Sequence, residues 1–135
     1  MAQVNYVNRS PDYKDLDLDF FANASTGDVY KKEGDEAIKR SVRNLLFTNF
    51  YERLFQPYIG SNVRKLLFEP INPFTLVLLQ NAIKETINNF ESRVRLVDVT
   101  VSSDLNNNGF NVRLQYVILN RNLPVDTTLF LERIR

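Results

Sequence analysis

The sequence has no cysteine and no histidine, and its 135 residues include only four glycines and one methionine. Without thiols there are no disulfides, no thiolate metal sites and no cysteine nucleophile, which suits a reducing compartment or a large assembly held by other means. Without imidazole there is no Ser-His dyad, no His-ligated zinc and no histidine pH switch, so a large share of hydrolase mechanisms is removed. The glycines, Gly27, Gly34, Gly60 and Gly109, are scattered, and neither phosphate-cradling pattern, G-x-x-x-x-G-K or G-x-G-x-x-G, can be built from them. No apolar run reaches the roughly eighteen residues of a membrane span, and Met1 to Asn8 lacks the charged-then-apolar order of a secretory signal. A membrane partner is therefore not expected. An excess of one charge is missing too: 17 Lys and Arg face 16 Asp and Glu, a net charge of +1. The counterion release that drives nucleic-acid binding has no source here. No cofactor or metal site is expected from this inventory.

What is present is enough for one compact domain. A chain of this length, 44% hydrophobic and 24% charged, buries roughly two-thirds of the surface its unfolded form exposes. Residues 1–33 differ from the rest, with acids (Asp12, Asp15, Asp17, Asp19, Asp28, Glu33) outnumbering bases (Arg9, Lys14, Lys31, Lys32). Leu16, Leu18 and Phe20 alternate there with Asp15, Asp17 and Asp19, a period of two that suits a short strand or an arm laid on another surface. The arm is expected to pack on a neighbouring subunit or to stay disordered before assembly. Residues 34–135 form the expected α+β domain. Ile38, Val42, Leu45 and Leu46 define a helical stripe opening at Asp35, which can cap it. Pro57 and Gly60 mark 49–60 as a shaped loop, and a short helix over 62–68 ends before Pro70. Asn72-Pro73 is a strong start signal for a long helix carrying Leu76, Leu79, Ile83, Ile87 and Phe90. Beyond Ser92 the period becomes two. Val94 and Leu96 share one parity while Val97, Val99 and Val101 share the other, so the strand is covered on both faces near its start or reset by a bulge. A hairpin loop over 104–109 leads to a return strand with Phe110, Val112, Leu114, Tyr116 and Ile118 on one face, and Val125 to Ile134 makes a third strand. Helices first and a meander last indicate helices packed on one face of a small antiparallel sheet.

With no His or Cys, catalysis would fall to carboxylates. Glycoside hydrolysis needs one kept protonated by an apolar setting and one ionised. Glu52, Glu69 and Glu91 lie near aromatic or apolar neighbours, but Glu52 precedes Arg53 and Glu91 lies two residues before Arg93, so ion pairs are the simpler reading, and no catalytic residue is assigned. Aromatics make up 12% of the chain and concentrate in its middle third. They are interleaved with Arg53 and Arg64, which matches both core and interface anchors, Phe55, Pro57 and Gly60 among them. The last strand can leave an unpaired sheet edge along Val125, Thr127, Leu129, Leu131 and Arg133. Glu132, Arg133 and Arg135 could blunt that edge, or another chain could add a strand to it.

Three ordered segments carry a family resemblance: Asp35-Glu36-Ala37-Ile38-Lys39-Arg40-Ser41-Val42-Arg43-Asn44-Leu45-Leu46, then Glu52-Arg53-Leu54-Phe55-Gln56-Pro57-Tyr58-Ile59-Gly60-Ser61, then Leu66-Leu67-Phe68-Glu69-Pro70. Together with Ser25-Thr26-Gly27-Asp28-Val29 upstream, the chain resembles the baseplate wedge subunit family of contractile-tailed phages, also found in type VI secretion baseplates. The resemblance implies a fold similar to the strand-exchanging domain of a tail sheath subunit. It also implies a structural role in the virion tail baseplate, assembled in the host cytoplasm. Expected partners are other wedge subunits, the tail sheath protein and the tube or its initiator, with six copies in a ring. The family carries Glu-Pro-Arg after its long helix to grip the wedge's core bundle; here Glu91, Ser92 and Arg93 stand there, both charges kept and the proline missing. Glu52 and Arg53 are expected to form a structural or interface ion pair. The family's old lysozyme label keeps a tail lysozyme, and its spread keeps a secretion baseplate component, as alternatives.

Overall fold

The computed structural model describes residues 13–17, 19–120 and 122–134; the expectations placed on residues 1–12, Leu18 and Arg135 lie outside them. Two short strands, β1 (Lys14–Leu16) and β2 (Lys31–Glu33), pair antiparallel, and three helices follow: α1 (Asp35–Phe47), α2 (Val63–Leu66) and α3 (Pro73–Phe90). The chain ends in an antiparallel meander, β3 (Val94–Asp104), β4 (Gly109–Ile118) and β5 (Leu123–Glu132), with β4 in the centre. This is the α+β arrangement the pattern predicts.

The local causes are visible at each boundary. At α3, Asn72 accepts the Thr75 N–H at 2.8 Å and Pro73 takes the first helical position, so two of the free donors of the first turn are dealt with at once. At α1 the expected cap is displaced by one residue. Gly34 holds the cap position with φ 61°, a left-handed geometry that favours glycine, and no side chain caps the helix. Asp35 becomes its first residue and, with Glu36, places negative charge at the positive end of the helix dipole.

Ile38, Val42 and Leu46 of α1 and Leu79, Ile83 and Ile87 of α3 face the sheet, where Phe110, Val112, Leu114, Tyr116 and Ile118 of β4 are all buried. The opposite face of β4 carries exposed Arg113, hydrogen-bonded to Asp126 across the strands, so burial is one-sided. Of the two explanations for the parity change in β3, the bulge holds. The register to β4 shifts between Leu96 and Asp98, and Val97 at the break is turned to solvent while Val99 returns to the core.

Candidate functional site

Three surfaces carry the residues singled out by the sequence. At the first, the turn after α3 delivers a buried acid. Glu91 is 6% exposed and receives Arg93 Nε at 2.8 Å, Arg93 Nη2 at 3.0 Å and Ser41 Oγ at 2.7 Å. Burial alone would raise its carboxyl, but the hydrogen bonds from Arg93 and Ser41 outweigh it and hold the group below the usual carboxylate range. The same contact, followed by the opposing effect of burial, keeps Arg93 firmly protonated. Arg93 also reaches Asp15 of β1 at 3.4 Å and lies over the Tyr13 ring at 5.4 Å. Ser92 is exposed at the tip of the turn. The pair therefore ties the N-terminal segment, α1 and the start of β3 into one corner.

The segment before α1 turns its alternating residues in a direction that the period alone does not give. Asp17 is 5% exposed and lies 3.6 Å from Arg40, which also holds Asp19 at 2.6 Å. Leu16 and Phe20 point to solvent. The carboxylates face the domain because two arginines wait for them there. Those partners, 21 residues away for Asp19 and 78 for Asp15, leave no local trace in the sequence. Asp15, Asp17, Asp19, Arg40 and Ser41 are thus members of this corner that pattern reading does not find; the one usable signal is an acid at every second position.

The second surface is the loop over 49–60. Its ends are closed by a bridge between Asn49 and Ser61, by Ser61 N–H to the Thr48 carbonyl at 2.8 Å and by Ser61 Oγ to the Leu46 carbonyl at 2.7 Å. Gly60 is required there, since a Cβ would stand 2.6 Å from the backbone of Asn49 and Phe50. Inside the loop, Tyr51 is held at φ 67°, uncommon for a bulky residue, with its N–H on the Pro57 carbonyl at 2.6 Å. Glu52 accepts the Asn49 N–H at 2.8 Å, and among the described residues it makes no ion pair with Arg53. Arg53 instead lines a separate cleft beside Arg40 and Glu91. The loop holds its shape while presenting Tyr51, Leu54 and Phe55 at 84%, 91% and 95% exposure.

The third surface is the sheet's two edges. Arg133 N–H bonds the Asn108 carbonyl at 2.9 Å, and the register runs on from that pair through Leu131↔Phe110, Leu129↔Val112, Thr127↔Leu114 and Val125↔Tyr116. In an antiparallel ladder alternate pairs exchange hydrogen bonds, so these residues turn their backbone groups toward β4. The intervening Asp126, Thr128, Phe130 and Glu132 turn theirs outward. Pro124, which has no N–H to lose, shares their parity. The edge expected along Val125, Thr127, Leu129, Leu131 and Arg133 is thus offset by one residue: Val125 and Leu131 are buried in the core, and Arg133 Nε bonds the Glu69 carbonyl at 3.1 Å. Beyond the strand, the outward N–H of Ile134 is taken by the Leu67 carbonyl at 3.0 Å.

The described residues form an α+β domain with β5 at one sheet edge and an exposed aromatic loop over 49–60. The chain matches the family described as baseplate wedge protein gp25 over residues 32–123, and it belongs to that family. No curated protein sequence matches it significantly. Among solved structures, it is similar to a candidate tail lysozyme from Geobacter sulfurreducens, at 26% identity and a TM-score of 0.69 over 75% of this chain and 92% of the other. It shares its fold with a chain of the anti-feeding prophage baseplate, at 22% identity and a TM-score of 0.64 over 92% and 88%. A chain of the postcontracted pyocin R2 baseplate gives 19% identity and a TM-score of 0.52 over 82% and 96%. The chain is accordingly a structural, baseplate-wedge-like component.

Proposed function

We propose that this protein joins the wedge of a phage tail baseplate and initiates sheath polymerisation by accepting a strand from a sheath subunit along β5. The observation that carries this reading is the run of outward main-chain groups on Asp126, Thr128 and Phe130, backed by a rigid sheet. Strand addition takes its affinity from such groups and is sequence-tolerant, which suits one docking event repeated by six copies around a tube. The other wedge subunits hold the domain from its opposite side, with the Glu91, Ser92 and Arg93 turn and the exposed Phe55 and Pro57 of the loop as contacts, while buried Gly60 holds the loop's shape beneath them. Of the arm proposed over 1–33, the described part is tied back onto the 34–135 domain through Asp15, Asp17 and Asp19. The test is Thr128→Pro, which removes one outward donor without touching the β4 ladder. Baseplates and tubes are expected to form while sheath growth fails; normal sheaths would overturn strand addition at β5.

The similarity to a candidate tail lysozyme keeps a glycosidase as the second reading. It finds little support in Glu91, whose carboxyl is lowered and hydrogen-bonded to an arginine, the opposite of a general acid held protonated. We therefore read the protein as non-enzymatic. Peptidoglycan release by the purified protein, abolished by Gln in place of Glu52 or Glu69, would reverse that reading.

A further inference from the structure

The loop over 49–60 and α2 together enclose an open groove of about 750 Å³, walled by Phe50, Tyr51, Pro57, Tyr58 and Phe68. Its size is that of sites which take several buried groups of a ligand. Arg64 and Lys65 of α2 stand along it, and among the described residues no carboxylate lines it. Among the described residues neither cation is paired with an acid. The groove is therefore apolar at its base and positive on one flank. Its shape is fixed in advance by the Ser61 bonds, the close packing at Gly60 and the left-handed Tyr51. Strain of this kind persists where the surroundings over-determine it and gathers at binding sites, and a loop ordered before contact spares the partner the entropy of ordering it.

The main chain of α2 is bonded internally, Leu66 to Asn62 and Leu67 to Val63, so an extended visitor would find no ladder to join on that side. A helix brings its own backbone bonds and needs only side-chain contacts. We propose that this groove seats an amphipathic helix of a neighbouring wedge subunit. Apolar side chains at three- and four-residue spacing rest on Tyr58 and Phe68, and Asp or Glu on the flank face Arg64 and Lys65. This rests on the wedge-joining reading and adds the chemistry of the partner segment. Leu54 and Phe55 of the same loop are exposed as well.

The test places the photo-crosslinker p-benzoylphenylalanine at Tyr58 and, separately, at Thr128 in assembled, sheathed tails, with adducts mapped by mass spectrometry. The expected Tyr58 adduct lies on a helical segment of a different wedge protein with Asp or Glu within one turn. Arg64→Glu combined with Lys65→Glu is expected to cut its yield roughly tenfold or more, since facing like charges are strongly unfavourable, and to leave the Thr128 adduct unchanged. Lys65→Glu alone gives the same direction with less disturbance should the double variant fold poorly. A Tyr58 adduct on a basic segment, on a second copy of this chain or on its own residues 1–12 overturns the proposal. So does absence of the Tyr58 adduct while that at Thr128 persists on the sheath protein. Loss of adducts at both positions instead overturns the wedge-joining reading beneath it.

Discussion

The two edges of the β3–β4–β5 sheet have the same chemistry and opposite fates. Along β3 the outward groups belong to Val94, Leu96, Val99 and Val101, and the edge is blocked in three ways. Gln80 of α3 donates its side-chain amide to the Val99 carbonyl at 2.7 Å, the bulge at Val97 breaks the register, and the corner around Arg93 anchors β1 at the strand's start. Along β5 none of these devices is present among the described residues until Ile134, where the Leu67 carbonyl closes the end. Soluble proteins blunt their edges as a rule. Among the described residues one edge is blunted with a side chain, a bulge and a salt-bridged strand while the other runs straight, and the strand addition proposed for β5 would use that difference.

The comparison breaks most visibly through proline. Thr127→Pro removes a donor that faces β4 and is expected to cost on the order of 3 kcal/mol in chemical denaturation. Thr128→Pro, one residue on and at the parity already occupied by Pro124, is expected to stay within about 1 kcal/mol of the parent. Equal losses would mean that the parity assigned to β5 is wrong.

A smaller effect is expected at the corner that guards the start of β3. Glu91→Gln keeps the shape but removes the charge that Arg93 binds, and should cost about 2 kcal/mol near neutral pH. Because the folded-state carboxyl lies below its ordinary value of 4.5, the folded chain binds fewer protons than the unfolded one in that range. Its contribution is complete above the ordinary carboxylate range and is lost as the pH falls through the depressed value. The deficit of Glu91→Gln should therefore be largest at pH 6 to 7 and shrink on acidification below about pH 4, measured as the difference in Tm between parent and variant. A deficit independent of pH would place the stabilisation in packing.

The smallest effect is expected at Gln80→Ala, which leaves the Val99 carbonyl without its side-chain donor. A loss of about 1 kcal/mol is expected, together with faster exchange of the β3 outward amides, read by hydrogen exchange. A neutral variant with unchanged exchange would mean that Gln80 does not shield this edge.

Much of this fold is legible locally. Asn72-Pro73 announces α3, the parity change in β3 narrows the strand to two readings of which the bulge is one, and the alternation of Phe110 to Ile118 gives the buried face of β4, because caps and periods are written within a few residues of where they act. The corner is not legible in that way. Asp15 and Arg93 meet across 78 positions, and the same alternation of Leu and Asp would serve an arm with either face inward. The offset of the β5 edge is of a third kind. A period of two shows which side chains share a face, but which backbone groups face β4 depends on the pairing partner, here revealed by Asn108 and Arg133. The loop's aromatics are plain in composition, whereas their exposure depends on Gly60 and Ser61 closing the loop beneath them.

Residue-resolved hydrogen exchange on the free subunit and on the sheathed particle reads the β5 edge itself. The amides of Asp126, Thr128 and Phe130 are expected to exchange freely in the isolated protein, beside protected Val125, Thr127 and Leu129, and to become protected once sheath is present. Full protection of those three amides in the isolated subunit, or no gain on sheath assembly, would contradict strand addition along β5.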